Sequence, residues 1–259
     1  MKQVLIIPNR ENLEQCVAFA KKHGLGFEYN DFFAPSLLDD AKKLEEVIQR
    51  YRQSGVPEYC TVHGAFFDVI PCSVDEKVKE ISIQRIESSI EVAKRIGAKA
   101  VVFHTNYNPF LNSKEYVDKW IEDNISFWSS VLEKHRDMQI YLENMFDTTP
   151  DILEALSKTL CKYTNYGVCF DYAHAVISQT EPELWAKRLG RFVKHVHIND
   201  NDLVSDLHLA WGNGKINRKD FYALYEAYMP NASILIETSC IEDSKESLEQ
   251  MKQEGFLTE

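Results

Sequence analysis

The hydrophobic positions of this chain are concentrated in short runs that alternate with longer amphipathic segments. Successive runs begin 22 to 41 residues apart, which fits one strand and one helix per interval. Each run is rich in β-branched or aromatic residues, as is typical of strands. The eight runs are VLIIP (4–8), GFEYN (26–30), YCTVHG (59–64), AVVFHT (100–105), QIYLEN (139–144), YGVCFDY (166–172), FVKHVHIND (192–200) and SILIETS (233–239).

The segments between these runs have the period of helices. Residues 36–51 and 76–96 carry apolar side chains at helical spacing, and Gly97 is expected to end the second helix. In 149–160, Thr149 is expected to cap a helix that has Pro150 in its first turn. No GxGxxG or GxxxxGK[ST] motif follows the first strand. The pattern predicts an α/β fold, a single (β/α)8 TIM barrel formed as one domain by residues 1–259.

The charge and apolar content limit the partners. The chain has 29 Lys and Arg against 40 Asp and Glu, a formal net charge of −11. Nucleic-acid binders usually present a basic face, so a nucleic acid is unlikely as a partner and a small substrate is favoured. The N-terminal apolar run of five or six residues is too short for a signal peptide, and no segment is long enough to span a membrane.

The six cysteines are scattered and form no CxxC pair. Cys60 and Cys169 lie inside apolar runs, which predicts buried, reduced thiols. This cysteine usage fits a reducing compartment, so we expect a cytoplasmic protein.

Six of the predicted strands end on a residue that can bind a metal. These residues are His63, His104, Glu143, Asp171, His197 and Glu237. Because residues two apart in a strand share a face, outward Ile140 and Leu142 leave Glu143 facing inward. The same alternation aims the other five at the barrel axis, at the rim where barrel enzymes build their sites. His195 also faces inward but lies one layer deeper, where a packed, hydrogen-bonded role is expected.

The charge of this set favours a metal. Glu143, Asp171 and Glu237 converge on one narrow axis, where three carboxylates cannot all stay ionised without a cation or strongly raised pKa values. Three carboxylates and one imidazole suit Mn²⁺, Mg²⁺, Co²⁺ or Zn²⁺.

Other polar motifs have two interpretations when taken alone. His174 either joins the site or caps the helix after Asp171, and Asp206 with His208 indicates a solvated turn. In WGNGK, Gly212 and Gly214 either let the backbone approach an anion or form a plain turn. Asp200 is a candidate partner for a metal ligand. His23 and His135, near predicted helix ends, are expected to be structural.

As an ordered set, these motifs resemble the xylose-isomerase-like TIM-barrel superfamily. The resemblance runs from the third strand to the eighth, through VHGAF, GAKAVVFHTNY, YLEN, GVCFDYAHA, KHVHINDND, DLHLAWGNGKI and LIETS. The superfamily includes sugar isomerases and epimerases and the endonuclease-IV-type apurinic-site (AP) nucleases.

In the isomerase and epimerase branch, the resemblance implies one divalent ion held by Glu143, Asp171, His197 and Glu237. Glu143 and Glu237 would also be the catalytic proton-transfer groups, and His174 would bind substrate hydroxyls. Return of the proton by the same carboxylate would isomerise the sugar, and return from the opposite face would epimerise it. Ketose 3-epimerases typically carry an arginine soon after the metal histidine, and INDNDLVSDLH after His197 has none.

In the nuclease branch, the resemblance implies up to three Zn²⁺. The nine matching positions are all compatible here: His63, His104, Glu143, Asp171, His174, His197, Asp206, His208 and Glu237. Two features argue against the nuclease branch. The net charge is acidic, and the loops after the early strands carry Tyr29, Phe32, Phe66 and Phe67, which suit a small apolar-walled pocket. A metal-dependent isomerase or epimerase of a small sugar, sugar phosphate or polyol is therefore expected. The alternatives are a zinc phosphodiesterase or AP endonuclease, and a dehydratase of an inositol-type ketone.

Overall fold

The computed structural model describes residues 2–55, 57–178 and 180–257. Eight parallel strands close into a barrel in which each strand pairs with the next along the chain and the last pairs with the first. The strands are β1 Val4–Ile6, β2 Gly26–Tyr29, β3 Cys60–His63, β4 Ala100–His104, β5 Gln139–Glu143, β6 Tyr166–Asp171, β7 Val193–Ile198 and β8 Ser233–Ile236. The (β/α)8 barrel is confirmed, and all eight strands lie within the runs expected from the sequence. Its extent as one domain over 1–259 stays a prediction, and both end residues lie outside the described ranges.

Helices surround the barrel. Within the described residues they are α1 Leu13–His23, α2 Pro35–Leu38, α3 Ala41–Gly55, α4 Glu76–Ile96, α5 Lys114–Lys134, α6 Asp151–Leu160, α7 Tyr172–Ile177, α8 Pro182–Leu189, α9 Arg218–Tyr228 and α10 Ile241–Gln253. The helix expected over 76–96 forms with those bounds, and Gly97 ends it in the left-handed conformation at φ 82°.

Two helix predictions need correction. The single helix expected over 36–51 is two, because Asp40 accepts a hydrogen bond from the Lys43 backbone N–H and so starts a new helix after α2. The helix expected over 149–160 begins at Asp151, one residue after Pro150, and the Thr149 hydroxyl lies 3.5 Å from the Asp151 backbone nitrogen.

Strand alternation divides the core into two layers. Outward residues such as Val62, Phe103, Ile140 and Ile234 join the large core between barrel and helices. A separate small apolar cluster of Ala100, Val102, Tyr141 and Cys169 lies on the inward faces of β4, β5 and β6. The polar strand ends follow these residues at the C-terminal rim.

The buried thiols agree with the sequence analysis. Cys60 and Cys169 are free and buried, as predicted, and so is Cys16. Among the described helices, none is both long enough and apolar enough to cross a membrane.

Candidate metal centre

The structure brings the predicted strand-end residues together at the C-terminal rim. His63, His104, Glu143 and Asp171 are the last residues of β3, β4, β5 and β6. His197 lies one residue before the end of β7, and Glu237 directly follows β8. All six are buried. The register explains the meeting, because His104 is paired with Glu143 and Asp171 with His197 across neighbouring strands.

Glu143 is the centre of the cluster. Its Oε2 lies 3.6 Å from Nε2 of His63 and 3.6 Å from Nε2 of His104. The same oxygen lies 3.4 Å from Nδ1 of His197, while Oε1 lies 3.5 Å from Nδ1 of His174. One carboxylate therefore contacts four imidazoles from four different elements, three at Oε2 and one at Oε1.

His197 lies between two glutamates. Its Nδ1 is 3.4 Å from Oε2 of Glu143 and 3.5 Å from Oε2 of Glu237. These three atoms are buried, and none has a hydrogen-bond partner among the described residues. Asp171 Oδ2, also buried, is in the same condition. Such atoms are costly unless something binds them, and together they form an oxygen- and nitrogen-lined position for a cation.

The spacing of these atoms fits a metal better than hydrogen bonds. Ligands about 2.0–2.2 Å from a tetrahedral ion are roughly 3.3–3.6 Å from one another, whereas hydrogen bonds here would be about 2.7–3.2 Å. Three groups among the described residues have ligand atoms within 4.8 Å of one another: His63, His104 and Glu143; Glu143, Asp171 and His197; and Cys169, His195 and His197. The first two share Glu143 and contain the strand-end residues, so these residues fit one ion or two.

The carboxylates of the cluster differ in protonation. Burial opposes ionisation of Glu143, but the imidazoles of His197 and His104 outweigh it and hold its pKa well below the usual range. Burial raises the pKa of Asp171 to about 7, and the carboxylates of Glu237 and Glu143 act in the same direction. The sequence analysis expected a raised pKa among these three crowded carboxylates, and Asp171 has it.

The histidines differ in the same way. Burial lowers the pKa of His104 to about 3. Burial also opposes protonation of His174, but the carboxylates of Asp171 and Asp206 raise its pKa well above the ordinary value. For His208 the hydrogen bond to Asp206 outweighs burial and raises the pKa to about 9. Protons on these imidazoles and a bound cation neutralise the same carboxylates, so metal binding would release protons.

The DLH segment belongs to this cluster and is not a solvated turn. Asp206 Oδ2 lies 3.3 Å from Nε2 of His174 and 3.0 Å from Nε2 of His208, and His208 Nδ1 lies 3.8 Å from Oε2 of Glu237. His208 has φ +50°, a conformation that non-glycine residues rarely adopt. Asp206 and His208 thus extend the cluster toward solvent, through contacts of hydrogen-bond length.

His174 does not cap the helix after β6, which corrects one of the two interpretations of FDYAH. Asp171 is the N-cap of α7, and its Oδ1 accepts a hydrogen bond from the His174 backbone N–H at 2.6 Å. The His174 side chain instead points to the cluster, with Nδ1 2.9 Å from the Asn144 carbonyl oxygen. The cap fixes the distance between two cluster residues.

The anion that the WGNGK loop approaches is a side chain of the protein. The buried Asp200 carboxylate accepts hydrogen bonds from the backbone N–H groups of Asn201, Gly212 and Ile216 at 2.9, 2.9 and 3.0 Å. A Cβ on Gly214 would lie 2.3 Å from Asp200 Oδ1, so only glycine fits there. Asp200 therefore holds the loop that carries Asp206 and His208. The sequence analysis expected it to orient a cluster ligand, and its hydrogen bonds go to backbone N–H groups instead.

The aromatic pocket predicted from the early loops is only partly correct. Tyr29 and Phe32 are fully buried in the outer core beside Tyr51. Phe66 contacts the rings of His63 and His104 at centroid distances of 5.0 and 4.8 Å. Phe67 is 66% exposed at the rim. The alternation in GFEY places Tyr29 on the outer face of the barrel, so the sequence already contained the information that Tyr29 lies outside the pocket.

Glu28 is the cluster residue that the sequence analysis missed. It lies in β2, fully buried, between the outward residues Phe27 and Tyr29. Its Oε1 is 3.1 Å from Nε2 of His197. The alternation that placed Glu143 also places Glu28 on the inward face, but β2 does not end on a residue of a metal-ligand type, so the strand-end criterion did not select it.

The remaining histidines lie where the sequence analysis expected them. His195 is packed and hydrogen-bonded, with Nδ1 2.7 Å from the Ser233 hydroxyl. His135 and His23 lie at helix ends.

The fold and site together define an α/β barrel with a buried histidine–carboxylate cluster at its C-terminal rim. A family model described as xylose isomerase-like TIM barrel matches residues 15–254. The chain therefore belongs to the xylose isomerase-like TIM-barrel family.

Known proteins similar to the chain include enzymes of both branches. An uncharacterized protein of Methanocaldococcus jannaschii, MJ1311, is 32% identical over 222 residues, which is 82% of this chain and 73% of that protein. Fructoselysine 3-epimerase of Shigella flexneri is 24% identical over 71% of this chain and 68% of its own length. Probable endonuclease 4 of Listeria welshimeri is 24% identical over 72% and 68%. At equal identity, these last two relatives do not distinguish the branches.

Two solved structures are similar over nearly the whole chain. A D-tagatose 3-epimerase-like protein superposes with a TM-score of 0.76 at 26% identity, covering 98% of this chain and 96% of that one. The TTHB071 protein from Thermus thermophilus, soaked with ZnCl₂, gives a TM-score of 0.76 at 23% identity, covering 98% and 97%. At 23% identity, the similarity to the second structure supports the fold only.

Proposed function

We propose that this chain is a divalent-metal-dependent isomerase or epimerase of a small sugar, sugar phosphate or polyol derivative. The observation that carries the proposal is the position of His197 Nδ1 between the unpartnered Oε2 atoms of Glu143 and Glu237, at 3.4 and 3.5 Å. Two carboxylates that flank one cation position are the arrangement that proton transfer beside a polarised carbonyl requires. The likeness to sugar epimerases supports the same class.

In this proposal Glu143, Asp171, His197 and Glu237 hold the ion, which is Mn²⁺, Mg²⁺, Co²⁺ or Zn²⁺. When bound, the ion would polarise a substrate carbonyl and an adjacent hydroxyl and so acidify the neighbouring C–H. Glu143, whose pKa is held low by its imidazole neighbours, is ionised at neutral pH and can accept that proton. Return of the proton by Glu237, from the opposite face, would give epimerisation. Return by Glu143 itself would give isomerisation. His174, His63 and His104 would contact the substrate hydroxyls.

The rim favours a small substrate over a nucleic acid. The loops that follow β3, β4, β5 and β7, residues 64–74, 105–113, 144–150 and 199–217, contain one Lys or Arg, Lys215. Arg10, which follows β1, pairs with Asp31 at 3.1 Å. Phe67, Phe110 and Phe146 stand at the rim 66%, 90% and 58% exposed. An apolar and acidic rim offers little to a phosphate backbone, which is bound mainly through Lys and Arg.

A second candidate is a zinc phosphodiesterase or AP endonuclease with up to three Zn²⁺. The specific observation in its favour is that His63, His104, His174, Asp206 and His208 all join the same cluster. In this alternative they complete a multinuclear site around Glu143. A dehydratase acting on an inositol-type ketone would use the four-ligand site of the first proposal and differs only in the fate of the substrate.

The test is solvent deuterium incorporation into a panel of ketohexoses, their phosphates and an inositol-type ketone, followed by NMR with Mn²⁺- or Co²⁺-loaded protein. Glu237→Gln should abolish conversion to the epimer while part of the bound metal is retained, because the amide cannot return the proton from the opposite face. Glu242→Gln, an exposed glutamate five residues along the chain, is the matched control and should behave as the native chain. Unchanged turnover in Glu237→Gln would remove Glu237 from the mechanism. Cleavage of an abasic-site oligonucleotide by the zinc-loaded chain, with no deuterium incorporation, would favour the nuclease.

A further inference from the structure

Glu28 is a carboxylate in the middle of the barrel, with no exposed surface. A buried carboxylate is costly unless several groups bind it. Its Oε2 accepts a hydrogen bond from the Thr61 hydroxyl at 2.7 Å and lies 3.2 Å from Nε2 of His195. Its Oε1 has no hydrogen-bond partner of good geometry among the described residues, and Nε2 of His197 lies 3.1 Å from it.

The barrel register builds this arrangement. Glu28 is paired with Thr61 between β2 and β3, and His195 with Ser233 between β7 and β8. The Ser233 hydroxyl lies 2.7 Å from Nδ1 of His195. A continuous polar chain therefore runs from Ser233 through His195 and Glu28 to His197, and it fixes Glu28 from the side away from the cluster.

The contact with Glu28 decides which nitrogen of His197 faces the cluster. A neutral imidazole has one protonated and one unprotonated nitrogen, and a carboxylate selects the protonated one. If the proton is on Nε2, the nitrogen beside Glu28, then Nδ1 is the unprotonated nitrogen, and it faces Glu143 and Glu237 at 3.4 and 3.5 Å. Glu28 lies on the opposite side of the ring and does not reach that position.

We propose that Glu28 is a positioning residue of the metal site, which holds His197 as the Nε2–H tautomer so that Nδ1 binds the ion. The proposal rests on the metal site of the proposed function. It assigns a role to β2, the strand to which the sequence analysis gave no part in the site. Glu28 touches neither ion nor substrate in this role and acts only through His197.

The test is the affinity and the visible absorption spectrum of Co²⁺ bound to the full chain, in Glu28→Gln and in the control Glu254→Gln. Glu28→Gln keeps the shape of the side chain but removes its charge, and loss of such a partner weakens metal binding about 10- to 100-fold. A shifted Co²⁺ band is expected as well, since a changed imidazole alters the ligand field. Glu254→Gln makes the same change at a partly buried glutamate that pairs with Arg218 outside the cluster, and it should leave affinity and spectrum close to those of the native chain.

Native affinity and an unchanged Co²⁺ band in Glu28→Gln would overturn the proposal, as would an equal loss in Glu254→Gln. A native chain that binds no Co²⁺ would instead refute the metal site itself. Should Glu28→Gln fail to fold, long-range ¹H–¹⁵N spectra of the native Zn²⁺-loaded chain decide the question. Protonated Nε2 with metal-bound Nδ1 on His197 is the result expected, and metal on Nε2 would overturn the proposal.

Discussion

Replacing Asp200 by asparagine should loosen the loop that completes the cluster. The buried Asp200 carboxylate accepts three backbone N–H groups, two at Oδ1 and one at Oδ2. In Asp200→Asn the remaining oxygen can serve the two donors at Oδ1, but the new NH₂ group faces the N–H of Gly212. One charge-assisted hydrogen bond, worth about 1.5–3 kcal/mol, is lost, and one buried donor is left unsatisfied. We expect a destabilisation of about 2–4 kcal/mol.

Thermal unfolding followed by circular dichroism measures this effect. For a chain of this size the expected loss corresponds to a melting temperature lower by about 5–10 °C. Asp202→Asn is the matched control, because Asp202 also accepts two backbone hydrogen bonds, from Val204 and Ser205, but in a more exposed part of the same loop. Its melting temperature should stay much closer to that of the native chain, since water can replace the lost bond.

Metal binding gives a second measurement on the same variants. The loop carries Asp206 and His208, whereas Glu143 and His197 lie on strands. Asp200→Asn should therefore retain Co²⁺ binding at the strand residues and lose whatever contribution Asp206 and His208 make. Equal melting temperatures for Asp200→Asn and the native chain would refute the conclusion that Asp200 holds this loop.

Three further predictions follow from particular contacts. Gly214→Ala should lower the melting temperature, because its Cβ would lie 2.3 Å from Asp200 Oδ1, whereas Ala at exposed Asn213 should not; equal melting of the two variants would contradict the close approach. The hydrogen bonds from Arg218 lower the pKa of Glu254 to about 2, so Glu254 stabilises the fold fully above its ordinary pKa and loses this contribution as the pH falls toward 2. Urea unfolding against pH should show native and Glu254→Gln curves that converge in that window, and a gap that stays constant would contradict the assignment. Glu143→Gln should reduce bound metal more than His63→Gln, because Glu143 belongs to two of the three ligand groups and His63 to one; equal loss by elemental analysis would contradict the shared role.

The alternation of apolar and polar residues was sufficient to predict the barrel and the strand-end cluster. In β5 and β8 the outward pairs Ile140 with Leu142 and Ile234 with Ile236 place the next residue, Glu143 or Glu237, toward the axis. This inference needs only the two-residue period of a strand and the fact that parallel strands end at one rim. It did not extend to Glu28, because that residue precedes the end of its strand.

The register of β6 and β7 could not be read from the sequence. The pairing shifts between Val168 and Cys169, so that Val168 pairs with Val193 but Cys169 pairs with His195. Val193 and Val196, three residues apart, both join the outer core, which strict alternation forbids. The irregularity brings Asp171 level with His197. Such shifts depend on how the barrel closes, which no local pattern records.

The loop 199–217 was the least predictable part of the site. Asp206 and His208 are two residues apart in a polar segment, and their spacing alone indicates a turn. They reach the cluster because Asp200 binds distant backbone N–H groups and Gly214 allows a close approach. Both are long-range effects that appear only when the loop is folded.

The central claim is that the cluster binds a catalytic divalent ion for chemistry on a small sugar-like substrate. The most direct measurement is the metal content and stoichiometry of the chain purified without added metal, by elemental analysis, with Glu143→Gln as the control. About one Mn²⁺, Mg²⁺ or Co²⁺ per chain, lost in the control, is the result expected. Two or three Zn²⁺ per chain would contradict the account and place the phosphodiesterase first, and a chain that neither contains nor binds a divalent ion would refute the site altogether.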